Sequence, residues 1–173
     1  MAEAFGARRI AALPGVRGGS AQDLLQRFAI MRAADGLRVA GVVEISECKR
    51  EGGGCKNFSV RNLSSGETIS ISQDLGAGSE ACSLDPGGLV RACGCVEEAI
   101  SAGADIVILS KFGKLEAARG GLADAFRAAM FADIPVVTVV PPVVADEWER
   151  FAGPLSQFVE ARTEALEDWW RSQ

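Results

Sequence analysis

Residues 104–116 read Ala-Asp-Ile-Val-Ile-Leu-Ser-Lys-Phe-Gly-Lys-Leu-Glu. Ile106–Leu109 is a continuous apolar run, short enough for a strand and too short for a helix of its own. A strand without polar alternation is usually buried on both faces, as a parallel strand is between two helix layers. The run stops at Ser110-Lys111-Phe112-Gly113-Lys114, which sets two cations and a glycine at its carboxyl end. Open α/β sheets bind ligands at that end. An ordinary strand exit with solvated lysines accounts for the same residues.

Downstream of this stretch, Leu122, Phe126, Ala129 and Met130 form a helix face, and Ile134–Val140 is a second continuous apolar strand, ended by Pro141-Pro142. Trp148 and Phe151 fall on a short helical piece broken by Gly153-Pro154. A final helix is expected to carry Phe158, Arg162, Ala165, Leu166 and Trp169 toward one side. The last tryptophans then close the core, where large aromatics concentrate. Upstream, Asp85-Pro86 marks a helix start, with Asp as N-cap and Pro in the first turn. Leu89, Cys93, Val96 and Ile100 follow at spacings that make one buried stripe, so Cys93 reads as core; Gly103 ends the helix.

The chain begins in the same alternation. Arg9–Leu13 reads as a strand, followed by Pro14-Gly15-Val16-Arg17-Gly18-Gly19-Ser20 and a helix. Ser20 suits an N-cap, Asp23 adds a carboxylate to the first turn, and Leu24, Leu25, Phe28 and Met31 make an apolar face up to Asp35-Gly36. Strand, glycine-rich turn and helix N-terminus form a context that binds phosphate through backbone N–H groups. The pattern G-x-x-x-x-G-K-[S/T] is met in part. Gly18 and Ser20 fit, Leu13 stands at the first glycine, and Gly19 replaces the lysine, with Arg17 as a neighbouring cation. A turn that merely needs glycine conformations is the alternative.

Arg38–Ser46 reads as the second strand, and Glu47–Lys56, with Gly52-Gly53-Gly54, as an exposed turn. Phe58, Val60, Ile69 and Ile71 alternate with polar residues around Ser64-Ser65-Gly66-Glu67, the pattern of an antiparallel hairpin wet on one face. Gln73–Leu84 is a polar loop. The expectation is a single domain over residues 1–173. Its fold class is α/β, a three-layer α/β/α sandwich whose mainly parallel sheet carries an inserted antiparallel hairpin at its edge.

Composition narrows the chemistry. A length of 173 residues allows a proper core, and the formal net charge of −5, without a basic patch, argues against nucleic acid. No apolar run approaches the roughly 18 residues of a spanning helix, so no membrane partner is expected. Met1–Arg9 lacks the apolar segment of an export signal, and the expected location is the cytoplasm. Five cysteines, an odd number, then read as reduced thiols. Histidine and tyrosine are absent, which removes histidine-based triads and histidine-ligated metals. Cys48, Cys55 and Cys82 are weak candidates for a thiolate metal site. The six residues between Cys48 and Cys55 match none of the usual close zinc spacings.

The strand, Pro-Gly-Val-x-Gly-Gly-Ser turn and helix resemble the phosphate loop of the small P-loop nucleoside-triphosphatases, in which a hairpin insertion also follows the second strand. Their Walker B strand ends in Asp-Glu-x-Gly-Lys-x-Glu, against Ser110-Lys111-Phe112-Gly113-Lys114-Leu115-Glu116 here. A closer similarity is to a bacterial family of uncharacterised function related to those enzymes, whose members often accompany molybdate-uptake genes. Its blocks read here as Gly54-Cys55, Ile71-Ser72-Gln73-Asp74, Cys82-Ser83-Leu84-Asp85-Pro86 and Phe112-Gly113-Lys114, across a resemblance from about Arg9 to Trp170.

The resemblance implies a nucleoside triphosphate as ligand, but both Walker motifs are degenerate. Gly19 stands at the phosphate-binding lysine, and Ser110 and Lys111 stand at the acidic pair that serves magnesium. Losing both removes the main electrostatic contributions to phosphoryl transfer. The leading expectation is therefore a nucleotide- or oxyanion-binding protein with weak or no hydrolysis and no need of magnesium, linked by family association to molybdenum metabolism. Its anion site would comprise Gly15, Arg17, Gly18, Gly19, Ser20, Lys111 and Lys114. Two other readings stay open. One is a working nucleoside-triphosphatase with unconventional residues, its candidates being Lys111, Lys114 and Glu116. The other is an interaction protein with an empty site, acting through a homodimer or a protein partner.

Overall fold

The computed structural model describes residues 8–15, 20–47, 57–73 and 83–173. In chain order the elements are β1 (Ile10–Pro14), α1 (Ser20–Ala34), β2 (Val39–Glu47), β3 (Asn57–Asn62), β4 (Thr68–Ser70), β5 (Ser72–Gln73), β6 (Ser83–Leu84), α2 (Pro86–Ser101), β7 (Ile106–Leu109), α3 (Lys114–Ala117), α4 (Ala123–Phe131), β8 (Val136–Val140), α5 (Ala145–Ala152), β9 (Ser156–Phe158) and α6 (Thr163–Arg171).

Seven strands form one sheet in the order β4-β3-β2-β7-β8-β1-β9. The five from β2 to β9 in that order run parallel, and β3 and β4 add the antiparallel hairpin at one edge. Every residue of β7 and of β8 is buried, as their unbroken apolar sequences require. Helices α2, α4 and α5 cover one face and α1 and α6 the other. On the first face Phe112 meets Phe126, Trp148 and Phe151 at ring separations of 5.7, 5.0 and 5.0 Å. Gly41 lies in β2 at φ +131°, where a Cβ would stand 1.8 Å from the Ile108 carbonyl oxygen, so only glycine lets β2 approach β7 this closely.

The caps follow the sequence. Asp85 accepts the Gly87 N–H at 3.0 Å ahead of Pro86, and Leu89, Cys93, Val96 and Ile100 are buried along α2. Three expectations need correction. Phe158 belongs to edge strand β9, paired with β1, and is more than half exposed; α6 begins only at Thr163. Its helical spacing from Arg162 and Leu166 was coincidental, since a three-residue edge strand has no periodicity of its own. Met31 is exposed, while Leu24, Leu25 and Phe28 do face the core. Ser20 is already helical rather than the residue before the helix.

Candidate functional site

The parallel strands present their carboxyl ends together, and the connections diverge between β1 and β8. From β1 the chain continues to α1 on one face; from β8 it continues to α5 on the other. That divergence makes the crevice in which open α/β sheets take ligands. Gly15 lines it. Its N–H donates to the Val140 carbonyl at 3.0 Å, and a Cβ there would stand 2.8 Å from Pro141 Cα. Arg17, Gly18 and Gly19 lie outside the described residues, as do Cys48, Cys55 and Cys82. Ser20 is exposed at the start of α1.

Beside the crevice, β7 ends in buried Ser110 and half-exposed Lys111. Lys111 Nζ lies 2.9 Å from Glu44 Oε1, on the neighbouring strand β2. Gln22, in the first turn of α1, joins the same two strand ends. Its Nε2 donates to the Ser110 carbonyl at 2.7 Å, and its Oε1 accepts the Glu44 N–H at 2.9 Å. An amide can do both at once because it carries a donor and an acceptor. The start of α1, the end of β2 and the end of β7 are thereby held in one geometry.

Phe112 then anchors the loop. Its N–H donates to the Val139 carbonyl at 2.9 Å while its ring sits in the aromatic cluster. Lys114 opens α3 and is exposed, whereas Glu116 is buried. One Glu116 oxygen accepts the Gly113 N–H at 2.8 Å and the other the Leu122 N–H at 2.9 Å. Lys111, Lys114 and Glu116 all line a cavity of about 280 Å³ that also touches Glu44 and Pro141.

The family model described as protein of unknown function (DUF2478) matches residues 10–169. The chain belongs to that family. A protein of Bradyrhizobium diazoefficiens (strain JCM 10833 / BCRC 13528 / IAM 13628 / NBRC 14792 / USDA 110), named molybdenum import ATP-binding protein ModC 2, is 37% identical over 149 residues. The match covers 86% of this chain and 16% of that protein, so the chain spans about a sixth of the relative's length. No solved structure matches the chain.

For this DUF2478 member, the structure brings Gly15, Lys111, Lys114 and Glu116 to the carboxyl end of the sheet. It also adds two residues that the sequence reading passed over, Glu44 and Gln22. Glu44 had a signal: it is an acid set between Val43 and Ile45 near the end of an apolar strand. Gln22 had none, because a glutamine in a first helical turn is ordinary. The described cysteines take no part. Burial pushes the Cys93 thiol up to about 11, so it stays protonated at neutral pH, and Cys95, two residues further along α2, is half-buried. Among the described residues no three His, Cys, Asp or Glu side chains are grouped to hold a metal. Nor, among them, is any helix long and apolar enough to cross a membrane.

Proposed function

We propose that the chain is one P-loop NTPase-like domain that binds a nucleotide or other phosphate-like anion in the crevice between β1 and β8, with weak or no hydrolysis. The observation that carries this reading is the convergence at the sheet's carboxyl ends. Gly15 packs against Pro141, and Lys111, at the end of β7, is held on Glu44. Arg17 and the amides of Gly18 to Ser20 would complete the anion site with Lys111 and Lys114. Nucleotide as the ligand is supported by the name of the Bradyrhizobium relative, although only 16% of that protein is matched.

Weak hydrolysis is supported by the residues at the end of β7. Ser110 and Lys111 offer no carboxylate to a magnesium ion, and Lys111 occupies the nearby Glu44. Both Glu116 oxygens already accept backbone N–H groups. A molybdenum connection rests on the relative's name and on the family's association, and it makes molybdate a ligand to try beside phosphate and sulfate.

The test is thermal unfolding against ATP, GTP, phosphate, sulfate and molybdate, each with and without magnesium, alongside a phosphate-release assay. A ligand at 100 times its dissociation constant stabilises the fold by about 2.7 kcal/mol, which moves the midpoint by about 5–11 °C in a chain of this size. A shift independent of magnesium, abolished by Arg17→Ala and Lys111→Ala, is the expected result. No shift with any of the five would defeat the anion-site reading. Magnesium-dependent turnover would defeat the non-hydrolytic part of it.

A further inference from the structure

The cavity beside Lys111 is mostly apolar, and a bare oxyanion would leave that surface unused. Ile71, Leu89 and Leu122 form its buried wall. Leu84 and Val143 stand at its mouth, 38% and 66% exposed. The charged groups that line it come from β2, from the end of β7 and from α3. They are Lys111 on Glu44, the exposed Lys114, and Glu116, whose oxygens are turned to backbone N–H groups. Among the described residues Lys114 has no ion-pair partner. A volume of about 280 Å³ falls just below the range of drug-sized ligand pockets, so it suits a group of roughly one ring.

We propose that this cavity takes the apolar body of a small organic anion, a phosphate monoester of aryl size, with its charged head beside Lys111 and Lys114. The ligand class of the site is then an organic phosphate rather than inorganic phosphate or molybdate. Only the placement of the head rests on the anion site proposed above; the body is placed by the apolar wall. Apolar area removed from water supplies the preference, because the wall and the ring are both hydrated when apart. The uncovered Leu84 and Val143 side chains add to that area when the ring enters.

The probe is phenyl phosphate, compared with inorganic phosphate on the folded full chain by methyl NMR and by calorimetry. Phenyl phosphate should shift the methyl resonances of Ile71 and Leu89, which inorganic phosphate should leave in place. Its affinity should exceed that of inorganic phosphate by about tenfold or more. Leu84→Ala with Val143→Ala, both at exposed positions that the core does not need, should weaken phenyl phosphate several-fold without changing inorganic phosphate. Unmoved Ile71 and Leu89 methyls at the highest phenyl phosphate concentration would overturn the inference, whatever inorganic phosphate does. Shifted methyls without competition from nucleotide or inorganic phosphate would keep the organic pocket and count against the anion site at the crevice.

Discussion

The two ends of the parallel sheet are built differently. At the amino end, residues 35–38, 102–105 and 132–135 lead from helices back into strands, and Gly36, Gly103 and Asp133 turn the chain at φ +85°, +99° and +54°. Two ion pairs there, Arg9–Asp133 and Arg38–Asp105, lie on the surface, while Arg32, in the last turn of α1, is buried and meets Asp35 and Glu167. At the carboxyl end, polar side chains reach into the seams instead. Gln22 bonds two strands, Lys111 meets Glu44, and Glu116 caps two backbone groups, all around an apolar opening. The amino-end turns close largely on backbone hydrogen bonds of their own, and the side chains that add to them, Asp105 on the Arg38 N–H and Arg9 on the Asp133 carbonyl, are exposed. The loop that follows β7 is held instead by side chains, with buried Glu116 taking two of its backbone N–H groups and Gln22 bridging from α1.

The sharpest way to break this contrast is Glu116→Ala. It leaves the Gly113 and Leu122 N–H groups without acceptors in a buried place. At about 1–3 kcal/mol for each unsatisfied group, the loss should be roughly 2–6 kcal/mol. Urea unfolding should show a lower midpoint with an unchanged slope. Gly121, at φ +55°, packs so close to the Glu116 carboxylate that a Cβ would collide with it, which shows how tightly the cap is enclosed. A loss below about 1 kcal/mol would mean that water satisfies those groups, and that the carboxyl-end loop is no more dependent on side chains than the amino-end turns.

The legibility of the chain divides along the same line. Continuous apolar runs identified β7 and β8, and Asp85-Pro86 identified the start of α2, because burial on both faces and helix capping leave local signatures. The hairpin was visible in its alternation. The site was legible only as residue types at strand ends. Lys111 could be marked as a cation at the right place, but not as the partner of Glu44, since the two are joined by strand order and not by spacing. Glu116 was visible as an acid, yet its burial depends on the fold of residues 112–122 around it. Strand β9 was missed because three edge residues carry too little pattern to compete with a helical coincidence at Phe158.

A middle-sized effect should come from Gln22→Ala. It removes two hydrogen bonds that cross from α1 to the ends of β2 and β7, worth about 1 kcal/mol each, so a loss of about 1–2 kcal/mol is expected. Hydrogen exchange gives a local readout that global stability does not. The Glu44 amide should exchange faster relative to the amides of β7, because its acceptor is the side chain that has been removed. Equal protection of the Glu44 amide in parent and variant would show that the strand ends keep their geometry without the bridge.

The smallest effects on stability should accompany the clearest separation in binding. Lys111→Ala breaks a half-exposed pair and should cost about 0–1 kcal/mol, yet it should remove the response to phosphate-like anions. Arg38→Ala breaks the surface pair at the opposite end and should leave that response intact. The Arg38 pair has its own signature in pH. Hydrogen bonding to Arg38 holds the Asp105 carboxyl below the ordinary range. Its contribution is therefore present above the unfolded value of about 3.9 and is lost as the pH falls through the lower folded value. Arg38→Ala should accordingly lose stability less steeply than the parent below about pH 4, and both should run parallel above pH 5. An anion response that vanished with Arg38→Ala and survived Lys111→Ala would move the binding end of the sheet to the amino side, and the contrast would fail.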